Sequence, residues 1–508
     1  MSDAVRHIRI GIAGSHPAWE LLLDQIGVPW SILQFESDLF SRYSLIIVPS
    51  RVGSDELRQI REYSLRGGCV LYNDKEYFPS SRTTVLKTVY PGNAALYRID
   101  DVLDIGIPCA VFEHGYPVHA EQNGNGLNAY LGINLVQAYS ILSSQRKNFS
   151  SQFRPFPHEV VSAVSKNALR QMVTSLIERL HHHTGLPFVH AWYFPGNTPS
   201  IFTFRIDTDK GSKDDIAELK ALSEKHAIPT SWFLDVKSHE GWLEYFSEFR
   251  GQEIGVHCYE HVLYPSPLLN KENFSKAREL VQRHIGHPAG ITSPTGAWNP
   301  DFARLISEMD FAYSSEFSYD YDNFPSHPFS EDEKFSTLQI PIHPICIGSM
   351  LRAHYTTSQM TEYFKSVIDK KIALREPVCL YHHPTHRHNE VFDSVFHYIN
   401  ELKIPKLSYS QFAAWWSKRN SFDIRCTVDG DTLFFSTDGQ EQDHHVRISL
   451  QDSRETILPG EGKIVLSDLK VVQQREVPIN DADYKGLRNF DYRHPIQNML
   501  DWWIKVTE

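Results

Sequence analysis

The alternation of apolar and polar positions divides the chain into regimes. From Ile8 onward, short apolar runs alternate with helical stretches: IRIGIA at 8–13, a helix from about Pro17 to Gln25, WSILQF at 30–35, SLIIVPS at 44–50, the helix DELRQIREYSLRGG and the strand CVLYN. Proline suits a helix start, and the Gly67-Gly68 pair suits a helix end. Strands alternating with helices imply a parallel sheet with crossover helices. A flavodoxin-like or amidotransferase-like α/β domain is therefore expected over residues 1–130. Residues 131–197 contain helical stretches, including KNALRQMVTSLIERLHHHTG, and are expected to form a helical connector. After the Pro/Gly-rich HAWYFPGNTPS, the strand IFTFRID at 201–207 opens a second strand-and-helix series that runs to WWSKRN at 415–420. Beyond Phe422 the pattern changes to short runs (FDIRCTV, DTLFFST, HHVRISL, GKIVLSDLKVV) separated by DG, GQEQD and PGEG. Asp-Gly and similar pairs mark hairpin turns, so residues 421–508 are expected to form an antiparallel β domain.

Length and charge narrow the function classes. At ~100–200 residues per domain, 508 residues imply two to four domains. The net charge of −12 argues against non-specific nucleic-acid binding, which needs basic patches. The N-terminus MSDAVRHIRIGIAGSHPAW has no long apolar segment after a basic start, so no secretory signal is expected. No apolar run approaches the ~18 residues that span a bilayer. Six scattered cysteines without a CxxC pair fit free thiols in a reducing compartment, and a cytoplasmic location follows as the expectation. Cys69 lies inside a strand and Cys109 follows a proline, so neither has the sharp strand-to-helix turn of an amidotransferase nucleophile. The loop GSHP lacks a GxGxxG fingerprint. The N-terminal domain is thus expected to be structural or interacting rather than catalytic. His181-His182-His183 sit at a helix end, where cations are favourable, and read as a helix terminus rather than a metal tract.

The chemistry concentrates in the second series. In FRIDTD (204–209), residues two apart on a strand share a face, which places Arg205, Asp207 and Asp209 together. Two carboxylates on one face of a buried strand repel unless a cation or a proton lies between them. In EIGVHCYEH (253–261), His257 and His261 are spaced i, i+4, and a helix beginning near His257 would put both imidazoles on one face. One carboxylate and two histidines leave open positions on a metal for water and substrate, and a second carboxylate can take the water's proton.

These residues resemble the polysaccharide deacetylase, or NodB-homology, family of carbohydrate esterases (carbohydrate esterase 4-like). The resemblance covers about 220 residues, with four motifs in order. It implies a distorted (β/α) barrel over 198–420. IDTD matches the family's aspartate pair, which implies Asp207 as general base and Asp209 as metal ligand. His257 and His261 match its His-x-x-x-His metal pair. TSPTGAWN at 292–299 matches a Pro-x-Gly-x-x-Asn stretch at Pro294, Gly296 and Asn299. The family's arginine falls near Thr292, and Arg205 is expected to supply the missing charge to Asp207. LYHHP at 380–384 matches the motif carrying the catalytic acid. Either His382 or His383 could be that acid. Family subgroups with a His-Pro pair use the histidine before proline, which implies His383, with His382 on the opposite side of the strand.

The fold class expected is therefore α/β: a distorted (β/α) barrel flanked by an N-terminal flavodoxin-like domain and a small C-terminal β domain. The function implied is metal-dependent hydrolysis of an N-acetyl or N-formyl amide on an amino sugar. Zn is the default metal for an Asp/His/His set, with Co, Ni, Mn or Fe equally compatible. Trp192, Tyr193, Tyr259, Trp298 and Tyr319 are candidates to stack on a sugar ring, and His343, Arg352, His382 and His386 to line a pocket. YDYD at 319–322 reads as a solvated loop. The expected partner is an N-acylated sugar or glycan precursor. Nucleic acid and a transmembrane segment are not expected, and a homo-oligomer stays open. Two competing readings are a mononuclear Fe(II) oxygenase built on the same two histidines and one carboxylate, and an inactive carbohydrate-binding scaffold.

Overall fold

The computed structural model describes residues 5–35, 38–78, 82–90, 94–104, 118–140, 144–330, 333–437 and 443–472. Cys109 and the segment beyond 472 lie outside the described residues. The centre of the molecule is a curled sheet of seven parallel strands: Phe202–Asp207, Thr230–Asp235, Glu253–Cys258, Gly290–Ile291, Tyr313–Ser314, Leu338–Gln339 and Val378–His382. The first six lie side by side in chain order, and the seventh returns beside the first. This is a (β/α) barrel left open between the sixth and seventh strands. The opening is partly bridged by His343, whose backbone N–H donates to the Cys379 carbonyl at 3.0 Å.

Every residue of the first and second strands is buried, as expected when helices cover one face of a parallel sheet and the other face lines the barrel. Phe204 shows why Phe202–Asp207 is a strand rather than a helix. Its alternate apolar residues pack outward, with Phe204 4.8 Å from Phe392 and 4.9 Å from Phe396 of the helix Asn389–Leu402. Arg205 and Asp207 point the other way. The helix Lys213–Lys225 starts at Ser212, whose hydroxyl accepts from the Asp215 N–H, and buries Ile216 and Leu219 against the sheet. The helix Tyr409–Asn420 closes the series with a capping box at Ser408 and Gln411.

The N-terminal sheet has the order Trp30–Ile32, Ile10–Ile12, Leu45–Val48, Cys69–Tyr72, Gly126–Leu131, Val118–Asn123, parallel except for its last strand. The parallel part is a flavodoxin-type 2-1-3-4-5 arrangement. The 131–197 stretch is more than a helical connector. It holds the helix Lys166–His183, but also the antiparallel pair Ser144–Asn148 and His158–Ser162 and the strand Phe188–Ala191.

The C-terminal hairpins form as the turn residues predict. Asp429 pairs with Thr432 around a two-residue loop in which Gly430 takes φ 57°, a left-handed conformation suited to glycine. They do not form a free-standing unit, however. Ile424–Asp429 pairs with Arg6–His7, and His445–Ser449 pairs with Phe188–Ala191. The shared core contains Ile8, Val189, Ala191, Cys426, Leu433, Val446 and Ile448. Short hairpins bury little alone, and their open edges need partners.

The segment 319–322 also departs from expectation. Tyr319, Asp320 and Tyr321 are buried rather than solvated. Burial pushes the Asp320 carboxyl up, with Lys166 opposing the shift from the neighbouring helix.

Candidate active site

The site lies at the C-terminal ends of the barrel strands, where each strand hands over to a loop and side chains from several strands can converge. Arg205 and Asp207 occupy one face of the first strand. The Arg205 guanidinium donates through Nε to Asp207 Oδ1 at 2.7 Å and through Nη2 to Oδ2 at 2.6 Å. Its Nη1 donates to the Ser315 carbonyl at 2.7 Å. Phe233 and Tyr381 flank it, with ring centroids 5.6 and 5.4 Å from the guanidinium carbon. Burial would raise the Asp207 carboxyl. The Arg205 charge, with His257 and His383, outweighs it and holds the group below the usual carboxylate range. Arg205 thus stands where the missing charge was expected.

Asp209 lies just past the strand end, in a turn, so the pleat alone does not bring it beside Asp207. His257 differs from expectation too. It sits on the third strand, not on a helix. The chain then turns, and the N–H groups of Tyr259 and Glu260 both donate to the Asn273 side chain at 3.0 and 2.7 Å. This turn returns His261 to His257, with the two Nε2 atoms 3.1 Å apart. Asp209 completes the group, with Oδ1 3.2 Å from His257 Nε2 and Oδ2 3.2 Å from His261 Nε2. His257 Nδ1 faces the Thr292 carbonyl at 3.0 Å and hydroxyl at 2.8 Å. As donor to that carbonyl, Nδ1 leaves the Nε2 lone pair pointing inward, the usual arrangement of a metal-binding histidine.

These residues fit a divalent ion. Metal–nitrogen and metal–oxygen distances of about 2.0–2.2 Å in tetrahedral geometry separate ligand atoms by roughly 3.3–3.5 Å, close to the separations seen here. Asp209 Oδ1 is buried without a hydrogen-bond partner, as a ligand atom would be.

His383 lies across this group. Its Nε2 is 3.6 Å from Asp209 Oδ2 and 3.9 Å from Asp207 Oδ2. His382 faces away, fully buried, with its ring 4.8 Å from Phe392 and neither nitrogen hydrogen-bonded. Burial holds it well below the ordinary histidine range, so it is neutral. It does not line the site as expected of a substrate-binding residue.

The remaining candidates are placed mostly in the core. Pro294 and Gly296 form a short turn, and a Cβ at Gly296 would come within 2.6 Å of three Phe317 ring carbons. Asn299 caps the helix Pro300–Glu308 by accepting from the Phe302 N–H at 2.8 Å. Trp298 packs on Tyr319 with ring centroids 4.5 Å apart. Tyr193 stacks on Phe324 at 4.4 Å in a separate aromatic cluster and is not brought to the site. His343 contacts the Tyr363 hydroxyl at 3.0 Å, and Arg352 pairs with Glu159. His181 lies in the last turn of the helix Lys166–His183 but is not the helix-end cation expected: burial pushes its imidazole down to about 4, and its ring contacts the Ile177 carbonyl and the Ser44 hydroxyl at 2.9 Å each. Sequence reasoning passed over Thr292 as a histidine-orienting group and Cys346 altogether. The sequence signal for Thr292 is its place in TSPTGAWN, near where the resembled family carries its arginine.

No protein-family model matches the chain, and neither does any curated protein. Solved structures do. One is described as a "probable Polysaccharide deacetylase" from Pseudomonas aeruginosa, 17% identical, with 44% of this chain and 92% of that chain covered at a TM-score of 0.39. An allantoinase is 16% identical, with 44% and 93% covered and a TM-score of 0.39. A carbohydrate esterase 4 family pseudoenzyme from Bacillus anthracis is 12% identical, with 43% and 66% covered and a TM-score of 0.32.

Proposed function

We propose that this chain is a metal-dependent amide hydrolase that removes an N-acetyl or N-formyl group from an amino-sugar-containing substrate. The observation that carries the reading is the meeting of six side chains: Asp209, His257 and His261 within 3.2 Å of one another, Asp207 locked by Arg205, and His383 within 3.9 Å of both carboxylates. A facial-triad oxygenase needs only the first three. An acid and a base on either side of them fit hydrolysis.

Asp209, His257 and His261 would hold the ion, with Zn the default and Co, Ni, Mn or Fe compatible with the same ligands. When bound, the ion supplies positive charge that polarises the acyl carbonyl and makes water a competent nucleophile near neutral pH. Asp207 accepts the proton of the attacking water. Arg205 keeps that carboxylate ionised and fixes both its oxygens. His383 delivers a proton to the leaving amine nitrogen, which would otherwise depart as a poor anionic leaving group. The segments before 198 and after 420 support or extend the barrel in a structural or interaction role.

The test is metal content by mass spectrometry on wild type and His257→Ala, with acetate and formate release from a panel of N-acylated sugars. Near-stoichiometric metal, lost in the variant together with acyl release, is the expected result. Metal without acyl release, with consumption of 2-oxoglutarate, would transfer the site to oxygenase chemistry. Absence of metal from both proteins would overturn the reading.

A further inference from the structure

A second cluster of ligand-type side chains adjoins the first, and the proposed hydrolysis leaves two of its members without a role. Cys346 directly precedes the short helix Ile347–Arg352, and His386 ends the turn Pro384–His386 after the seventh strand. One ligand atom each from Cys346, His383 and His386 lies within 4.8 Å of the others. The Cys346 Sγ is 3.9 Å from His386 Nδ1, and the His383 and His386 rings are 4.7 Å apart. Among the described residues, only this trio and Asp209–His257–His261 form such groups.

Two observations separate this trio from chance packing. First, His383 Nδ1 is buried and makes no hydrogen bond of normal geometry, although its other nitrogen faces the carboxylates, and the single Cys346 thiol is the group that bears on both His383 and His386. A thiol carries one proton and cannot donate to both imidazoles, whereas a cation can accept lone pairs from all three groups. Second, the ring of His386 lies directly against the helix backbone at Gly348. A Cβ there would come within 2.5 Å of His386 Cε1, so the glycine permits the approach. Nearby polar groups are Ser349, with its hydroxyl 3.8 Å from the thiol, and beyond it Glu159, paired with Ser349 and Arg352.

We propose that Cys346, His383 and His386 bind a thiophilic divalent cation such as Zn2+ in a regulatory site that shares His383 with the hydrolytic centre. Tetrahedral coordination by one sulfur and two nitrogens places ligand atoms about 3.5 Å apart, a contraction of at most about 1.3 Å from the present arrangement. The thiol loses its proton to solvent on binding, and the fourth position is left to water. Soft sulfur selects Zn2+, Co2+ or similar ions over Mg2+ and Ca2+. An ion on His383 Nδ1 takes the place of the proton there, so the ring cannot form an imidazolium, and the Nε2–H left facing the carboxylates is a much weaker acid toward the amine. The first equivalent of metal therefore activates and the second inhibits. The inhibitory consequence rests on the hydrolase reading, but the second site itself does not.

The experiment is a Co2+ titration of the chelator-treated full chain, followed by the near-ultraviolet thiolate-to-cobalt absorption. The expected result is about two bound equivalents, with the absorption arising from one of them, absent in Cys346→Ser and kept in His257→Ala. His386→Ala, at the half-buried rim, provides a second variant whose Co2+ affinity for that band falls at least tenfold. No thiolate band in wild type, a band that survives Cys346→Ser, or unchanged affinity in His386→Ala would each overturn the site. Excess Zn2+ should inhibit acyl release at least tenfold more strongly in wild type than in Cys346→Ser. A band that behaves as stated in a protein that releases no acyl group would leave the site standing and remove only the hydrolase reading.

Discussion

Arg205 and Asp207, two residues apart on one strand, form a fully buried bidentate ion pair at 2.6 and 2.7 Å. A buried pair of this kind adds little net stability compared with apolar residues of the same volume, so its presence points to a task beyond folding. That task is to keep a carboxylate ionised inside the barrel. Arg205→Lys keeps the charge but loses the planar fork and the third bond to Ser315. Its acyl-release rate should fall at least about tenfold. The Asp207 carboxyl, now held down less firmly, should ionise at higher pH, moving the acid limb of the pH–rate profile upward. An unchanged rate and an unchanged limb would remove Arg205 from the machinery.

The two histidines of the His-His-Pro run should separate cleanly. His383→Gln is expected to lower turnover by ~10²–10⁴-fold, the usual scale of general acid catalysis, with little change in melting temperature. His382 is buried, neutral and without hydrogen bonds, so His382→Leu should fold at least as well and retain turnover within about twofold. Thermal melts and initial rates on both variants check this. The reverse pattern would exchange the two roles.

Thr292 should act through His257. Thr292→Val keeps the shape and the backbone carbonyl contact but removes the hydroxyl 2.8 Å from His257 Nδ1. Metal affinity, measured by competition with a chromogenic chelator, should weaken by ~10–100-fold, as for other groups behind metal-binding histidines. Equal affinity would show that the carbonyl alone orients the ring.

Glu316 predicts a pH-dependent stability. Burial pushes its carboxyl up to about 7, against contacts with Ser314, Arg205 and Ser293, while the unfolded chain has the ordinary value near 4.5. Between those values the folded state binds more protons than the unfolded state, so stability falls as pH rises from about 4.5 to about 7. Glu316→Gln should flatten that part of the melting-temperature profile. A slope identical to wild type would refute the assignment.

Arg419 ties the last barrel helix to the N-terminal domain. Its guanidinium donates to the carbonyls of Asp24, Ile26, Ala191 and Trp192, at 2.6 to 3.4 Å. Arg419→Met would leave these acceptors unpaired in a buried position and should destabilise by at least about 3 kcal/mol in denaturant unfolding. A loss below about 1 kcal/mol would mean that water reaches the junction.

The sequence by itself determined what depends on local spacing. The two-residue period of a strand places Arg205 on the same face as Asp207. The same period set His382 and His383 on opposite faces, and glycine and aspartate marked the C-terminal hairpin turns. Alternating strands and helices gave two α/β series. Only the tertiary structure decided what depends on contacts between distant segments. The i, i+4 histidines meet through a turn held by Asn273, not through a helix, because the same spacing is compatible with either backbone. The C-terminal hairpins find their missing edges on Arg6–His7 and Phe188–Ala191, and hydrogen bonding between segments hundreds of residues apart leaves no periodic trace in the chain. Cys346 and His386 come from opposite sides of the barrel opening to flank His383. Their proximity is set by how the sheet curls, a property of packing that no local pattern encodes.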